Sequence, residues 1–178
     1  FKINNQDTYQ KLFPEEVLKD TLVNVFIERI NSNNEIYKNI KQEKDLILQQ
    51  NLIKKFMLEH PENYNLYNIM AYNQYDQKKY KRGISYVKIV INKDPQNAAY
   101  YDSAGLGYYY LKDFHKSLEY LNKSIELEPE GKNVAEHYYN RGRVYEALKA
   151  KSKAKKDYER ALEHNDSYYD AQTALNNL

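Results

Sequence analysis

Apolar residues recur along most of the chain with the period of an α-helix, in short blocks separated by polar breaks or prolines. Leu18, Leu22, Phe26 and Ile30 return every four residues, with Val23 and Ile27 beside them. That spacing aligns one wide helix face. Pro14, Glu15 and Glu16 suit its first turn, where proline forfeits no hydrogen bond and carboxylates meet the positive end of the dipole. Phe1 to Phe13 is polar and without period, which predicts an extended or frayed lead-in. After the polar break Asn31 to Asn34 come Ile36, Tyr37 and Ile40, and then a segment from Asp45 to Glu59 carrying Leu46, Ile53, Phe56 and Met57. From Tyr64 onward the blocks become regular. They predict three helix pairs, 64–77 with 80–94, 98–111 with 114–128, and 135–148 with 152–165. Tyr168 to Leu178 keeps Ala171, Ala174 and Leu175 on one face and ends in Asn176 and Asn177, the form of a capping helix.

The three pairs share more than a period. Ala71, Gly105 and Gly142 are followed twelve positions on by Gly83, Ser117 and Ala154, and nineteen positions on by Val90, Ser124 and Ala161. Each is preceded by four positions by a tyrosine, Tyr67, Tyr101 or Tyr138. Short antiparallel helices approach closely only where bulk is missing, so this spacing predicts small residues facing small ones, with aromatics filling the wedge on either side. Pro61, Pro95 and Pro129 stand 34 residues apart, each just past an apolar run, where proline stops a helix. Between the second and third pairs the interval widens to 37, and Glu130, Gly131 and Lys132 are the expected extra turn, an insertion that loops tolerate. Asp113 is placed to cap the second helix of its pair.

This layout resembles the tetratricopeptide repeat, a helix-turn-helix unit of about 34 residues. The resemblance implies an all-α fold, a right-handed α-solenoid of helix-turn-helix units. It would hold three regular repeats over about 64–97, 98–131 and 135–168, a degenerate N-terminal unit and a C-terminal capping helix at 168–178. The domain division it implies is 1–62 for the helical cap with its degenerate repeat and 63–178 for the rest. In the degenerate copy Tyr37 and Gln49 stand where the family has Gly or Ala, so looser helix packing is expected there. Lys151 replaces the aromatic found at Tyr80 and Phe114, which predicts a less tightly packed turn in the third repeat.

Composition narrows the chemistry more than the fold. With 27 basic and 25 acidic residues the net charge is +2, and no overall field argues for nucleic acid or an anionic membrane. A hydrophobic share of 42% over 178 residues is enough for one core. The absence of cysteine excludes disulfides, thiolate metal sites and a cysteine nucleophile. No apolar run approaches the ~20 residues that span a bilayer. The chain begins at Phe1 rather than Met, so a signal or anchor upstream is left open, and the compartment is undetermined. Only Tyr9 and Tyr37 of the 20 tyrosines precede Tyr64, so the tyrosines belong to the repeats.

No catalytic, cofactor or metal site is expected. His60, His115, His137 and His164 fall on different units, none at a metal spacing such as H-E-x-x-H, and each is expected at the surface or a helix end. Gly105 and Gly107 form a G-x-G inside a helix rather than at a strand-to-helix turn, which is the wrong setting for a phosphate cradle. Glu126 and Glu128 have the spacing of a solvated helix end. The run Lys149, Lys151, Lys153, Lys155 and Lys156 is followed at once by Asp157, Glu159 and Glu163, which reads as a solvated face.

Function is then a matter of surface. In the family that the repeats resemble, the first helix of each pair lines a concave groove. The corresponding positions are Asn65, Asn68, Tyr72 and Tyr75, then Asp102, Leu106, Tyr109 and Tyr110, then Glu136, Tyr139, Asn140 and Arg143, and some of the tyrosines are expected to pack between repeats instead. Such a groove is aromatic and mostly uncharged, and tyrosine suits recognition because it brings area with little rotamer entropy. Family members that hold chaperone tails carry Lys, Asn and Arg at fixed places, filled here by Asn68, Tyr72, Glu136 and Asn140. The expectation is a protein-interaction scaffold without enzymatic activity, a monomer or weak homodimer that binds a peptide or helix of another protein, with a chaperone C-terminal tail and nucleic acid not expected. The rivals are a self-associating structural module and a binder of nucleic acid or anionic surfaces through Lys149–Lys156.

Overall fold

The computed structural model describes Lys38, Ile40 and residues 42–178. The helix expected after Pro14 and the Tyr37 position lie outside the described residues. The chain divides into two compact units, Phe1–Glu62 and Asn63–Leu178. In the first, helix α1 (Leu46–Glu59) starts at Asp45, whose carboxylate accepts from the amides of Ile47 at 2.8 Å and Leu48 at 3.0 Å. Gln49 closes the turn before α1, since its amide nitrogen donates to the carbonyls of Ile40 at 2.7 Å and Glu43 at 3.2 Å. A long polar side chain at that position works as a brace, where a small residue would serve only as a contact. Ile40, Leu52, Ile53 and Phe56 are buried.

The second unit is built of seven helices: α2 (Tyr64–Asp76), α3 (Tyr80–Lys93), α4 (Ala98–Tyr110), α5 (Phe114–Leu127), α6 (Val134–Ala147), α7 (Lys151–His164) and α8 (Tyr169–Asn176). Each packs on the next, and the first helices of successive pairs also touch, α2 on α4 and α4 on α6. That pattern is a helical-repeat solenoid, and the limits of α2 to α7 fall within a residue of those read from the sequence. Asp113 caps α5 by accepting from the Lys116 amide at 3.2 Å, and Asn97 caps α4 through the Ala99 amide at 3.2 Å. Without a cap of this kind each helix start leaves its first amides to water or to a neighbour.

All three turns inside the pairs are the same object. Lys78, Lys112 and Lys149 have φ of 60°, 60° and 59°, the left-handed conformation in which a side chain crowds the following carbonyl. The Lys112 amide donates to the Tyr109 carbonyl at 2.8 Å and the Asp113 amide to that of Tyr108 at 3.0 Å. The same two bonds recur after α2 and α6, and together they satisfy the last carbonyls of each first helix in the manner of a Schellman cap. Glycine is the usual residue at this place, and its absence explains why these turns do not stand out in the sequence.

Inside the first two pairs small residues face each other, Gly83 against Ala71 and Gly105 against Ser117, and in every pair a large side chain also covers a glycine. A Cβ on Gly105 would stand 2.5 Å from Leu121 Cγ, and one on Gly142 would stand 2.5 Å from Tyr158 Cε1. In the first pair the order is reversed, because Gly83 on α3 lies under the Tyr75 ring of α2. Ser117, expected only as a small face, donates its hydroxyl to the Gly105 carbonyl at 2.8 Å. Gly107 lets the first pair dock on the second, since a Cβ there would meet Ile84 Cγ1 at 2.6 Å and Tyr75 Cζ at 2.7 Å. The Tyr75 hydroxyl donates to the Ser103 carbonyl of α4 at 3.0 Å.

Two substitutions test this packing. In an open helix Gly→Ala stabilises by about 1 kcal/mol. Gly105→Ala should do the opposite and lower stability by about 1–3 kcal/mol, because Leu121 has to move; urea unfolding that shows a gain would refute the close contact. Lys112→Gly should raise stability by about 1 kcal/mol through relief of the left-handed backbone, or about 2–4 °C in melting temperature for a chain of this size. A lower melting temperature would show that Lys112 is not strained.

Candidate functional site

The first helices carry the positions named for recognition, and where these helices meet, polar groups cross from one to the next. Asn65 is exposed, and its carbonyl accepts from the Tyr100 hydroxyl at 3.3 Å. Asn68 is half-buried. Tyr72 is half-buried, and its hydroxyl lies 3.2 Å from that of Ser103, while its ring meets Tyr75 edge-on at 5.9 Å. Burial, and then the carboxylates of Asp102 and Glu136, hold the Tyr72 pKa well above its ordinary value, so this phenol stays neutral. Tyr75, Asp102, Leu106 and Asn140 are interior, with exposures of 4%, 2%, 8% and 5%. Glu136 and Tyr110 are exposed, and Tyr110 stacks on Tyr80 at 5.2 Å.

Tyr109, Tyr139 and Arg143 come together. All are half-buried, and they line a pocket of about 280 Å³ with Glu146, Ala147, Tyr158 and Ala174. The Arg143 guanidinium sits 4.6 Å from the Tyr109 ring centre and 5.7 Å from that of Tyr139, both within cation–π range. Tyr139 is held from its far side by Tyr168, edge-on at 5.3 Å. Tyr158 has no exposed surface, and its hydroxyl donates to Glu146 Oε2 at 2.6 Å. Sequence reading missed Tyr158, Glu146 and Ala174 as pocket walls, because Tyr158 between Ala154 and Ala161 has the spacing of a core residue.

His137 corrects the expectation that all four histidines lie at the surface or a helix end. It is 1% exposed, with Nδ1 3.1 Å from Asp102 Oδ1 and Nε2 3.5 Å from Glu128 Oε2. These are charge contacts rather than well-aligned hydrogen bonds, and only the protonated ring offers a hydrogen on each side. Asp102 also accepts from the Asn140 amide nitrogen at 2.9 Å. The inserted turn makes this arrangement, since Glu128 bends across it and accepts from the Asn133 amide at 3.3 Å. Nothing in the spacing marked His137, because both its partners are remote in sequence.

The opposite side of α6 carries the basic residues. Arg141 is held in a fork by Asp157 with two bonds of 2.7 Å and by Asn122 at 2.8 Å. Lys153, Lys156 and Arg160 line the same shallow pocket of about 490 Å³, and Arg160 is paired with Glu163 at 2.7 Å. Lys151, where an aromatic is missing, donates to the Leu178 carbonyl at 2.6 Å. Among the described residues no cluster of His, Asp or Glu could hold a metal ion, and no helix is long and apolar enough to cross a membrane.

Paired helices stacked by small residues, with aromatic and polar side chains shared between first helices, define a helical-repeat interaction scaffold. Two of these repeats, residues 98–130 and 135–168, match the tetratricopeptide repeat family. Among solved structures, the first such domain of Spaghetti (RPAP3), bound to the HSP90 peptide SRMEEVD, is 25% identical over 65% of this chain and 90% of its own, with a TM-score of 0.59. The first such domain of human RPAP3 is 26% identical over 66% and 90%, at 0.61. A thermophilic repeat protein of Thermus thermophilus, 18% identical over 73% and 71%, reaches 0.67 and shows the fold alone. Comparison with curated proteins gives no significant match. The expectation against a chaperone tail finds no support in these neighbours, one of which holds such a peptide.

The buried histidine gives a pH dependence with a definite sign. Burial lowers the His137 pKa, and the Asp102 and Glu128 carboxylates more than offset this, leaving it above 6.5. Between 6.5 and that raised value the folded chain binds more protons than the unfolded one, so stability falls as pH rises through this window. Urea unfolding at pH 6 and pH 8.5 should show the loss, and His137→Gln should abolish this part of the dependence. An equal slope in both proteins would mean that His137 is neutral when folded.

Proposed function

We propose that the chain is a protein-interaction scaffold that holds a peptide or helix of a partner protein on the face shared by α2, α4 and α6. The observation that carries this reading is the half-buried set Tyr109, Tyr139 and Arg143 around an open pocket. Such side chains offer large, orientable contact area without being needed to close the core. Asn65, Asn68 and Tyr72 of α2 and Tyr110 at the end of α4 belong to the proposed surface. Tyr75, Asp102, Leu106 and Asn140 support it from inside, since Asp102 fixes Asn140 and Tyr75 ties α2 to α4. The neighbour's HSP90 peptide, SRMEEVD, carries acidic residues, and a chaperone tail is one member of the partner class this surface fits.

The test compares two faces of the same scaffold. Peptides selected from a random library on the full chain should bind the Tyr109→Ala, Tyr139→Ala double variant about thirtyfold more weakly or worse, the usual effect of removing interface anchors. Replacing Lys153, Lys155 and Lys156 with Gln should change affinity little. The reverse pattern in fluorescence anisotropy would move the working surface to the basic side of α7 and end this reading. The SRMEEVD peptide, titrated in the same assay, decides directly whether a chaperone tail is accepted.

A further inference from the structure

The pocket exists because one repeat breaks the aromatic pattern of the other two. By the 34- and 37-residue offsets, Tyr75 and Tyr109 correspond to Glu146, Tyr110 corresponds to Ala147, and Tyr80 and Phe114 correspond to Lys151. In the second pair Tyr109 and Tyr110 lie edge-on at 5.7 Å, with Phe114 6.1 Å from Tyr109. In the third pair that cluster is replaced by a carboxylate, a methyl group and an exposed lysine. The space left is the 280 Å³ pocket, walled by Ala147 and by Ala174 of α8.

Into this space the third repeat puts a cation. The positions equivalent to Arg143 are Tyr72 and Leu106, both uncharged. Arg143 differs also from the other arginines of its neighbourhood: Arg141 is paired with Asp157 and bonded to Asn122, and Arg160 is paired with Glu163. Among the described residues Arg143 forms no ion pair. Its polar neighbours are the Asn140 carbonyl at a long 3.5 Å and the Tyr110 hydroxyl. Glu146 lines the same pocket but accepts the Tyr158 hydroxyl at 2.6 Å. A guanidinium carries five donors in a planar fork, and this one, half-buried over tyrosine rings with no carboxylate paired to it, keeps part of that fork without a protein partner.

Resting on the scaffold reading above, we propose that Arg143 is the anchor for a carboxylate of the bound segment, received over the Tyr109 and Tyr139 rings in the pocket between α6 and α8. The ligand class is a peptide carrying an acidic side chain or a free C-terminal carboxylate next to a residue small or apolar enough to enter beside Ala147 and Ala174. The fork pairs with the planar carboxylate through two bonds, and the rings hold the guanidinium in place by cation–π contact. Asn140 positions the fork: its amide nitrogen is committed to Asp102 at 2.9 Å, so its carbonyl faces Arg143. This cation stands three residues beyond Asn140, and thus one turn away from the place where a chaperone-tail clamp would have its own.

The test selects random peptides with free C-termini on the full chain and then measures them against wild type, Arg143→Gln, Arg143→Lys and Tyr109→Ala. Wild type should enrich peptides with a required carboxylate. Removing that group, by Glu→Gln, Asp→Asn or C-terminal amidation of the peptide, should weaken binding roughly ten- to a hundredfold, and which change does so identifies the source. The same change should have no further effect on Arg143→Gln, and Arg143→Lys should fall between, since it keeps charge but loses the fork. Peptides weakened by Tyr109→Ala but bound equally by wild type and Arg143→Gln overturn the anchor and leave the scaffold reading standing. Failure to select any peptide, or peptides indifferent to Tyr109, overturns both. Should Arg143→Gln melt early, the peptide-side changes on wild type decide alone, with no loss on removal of every carboxylate overturning the proposal.

Discussion

Everything in the repeat unit depends on two helices lying close enough for a glycine on one to be covered by a large side chain of the other. At Gly105 and Gly142 the distance leaves no room for a methyl group, so Leu121 and Tyr158 rest on bare backbone. This contact sets how near the helices of a pair run, and hence where the rest of each helix points. Dispersion falls away steeply with a gap of a fraction of an ångström, so a contact this close holds a pair rigidly. The surface on α2, α4 and α6 inherits its order from that rigidity, because its side chains are spaced by backbone positions that cannot slide.

Most of the scaffold was legible in the sequence for the same reason. Small residues at fixed intervals, prolines at 34-residue spacing and a helical period are local or periodic signals, and the helix limits followed from them. The kind of contact was less legible. The spacing suggested small against small, and Gly83 does face Ala71 and Gly105 does face Ser117; the large side chains that also cover these glycines, Leu121, Tyr158 and Tyr75, were not legible, because nothing in an interval tells which of several nearby large residues will cover a gap. Gly107 was read only as a failed phosphate motif, although its role is to admit Tyr75 and Ile84 of the preceding pair. The left-handed turns escaped notice because lysine fills a place where glycine would have announced them.

Polar groups were the least legible part. His137 meets Asp102, 35 residues before it, and Glu128 across an inserted turn, and no rule of spacing joins the three. Arg143 looked like one groove position among many, since its distinction is what it lacks. That absence shows only when Asp157 is seen to take Arg141 and Glu163 to take Arg160. Position along a repeat therefore identified the face, while the charge pairing that gives the face its chemistry required three dimensions.

Ala174 places α8 in the wall of the Arg143 pocket, and this has a thermodynamic consequence. A helix of eight residues is too short to persist in water by itself, so α8 owes its order to Ala171, which is fully buried, and to Tyr168 against Tyr139. Whatever occupies the pocket touches a helix that depends on its tertiary contacts for its order, and the two equilibria are linked. Occupancy shifts α8 toward the ordered state by the same factor by which ordered α8 raises affinity. Helix α8 thus reports on what the pocket holds, through the exchange rates of its amides, without any change in the shape of the repeats themselves.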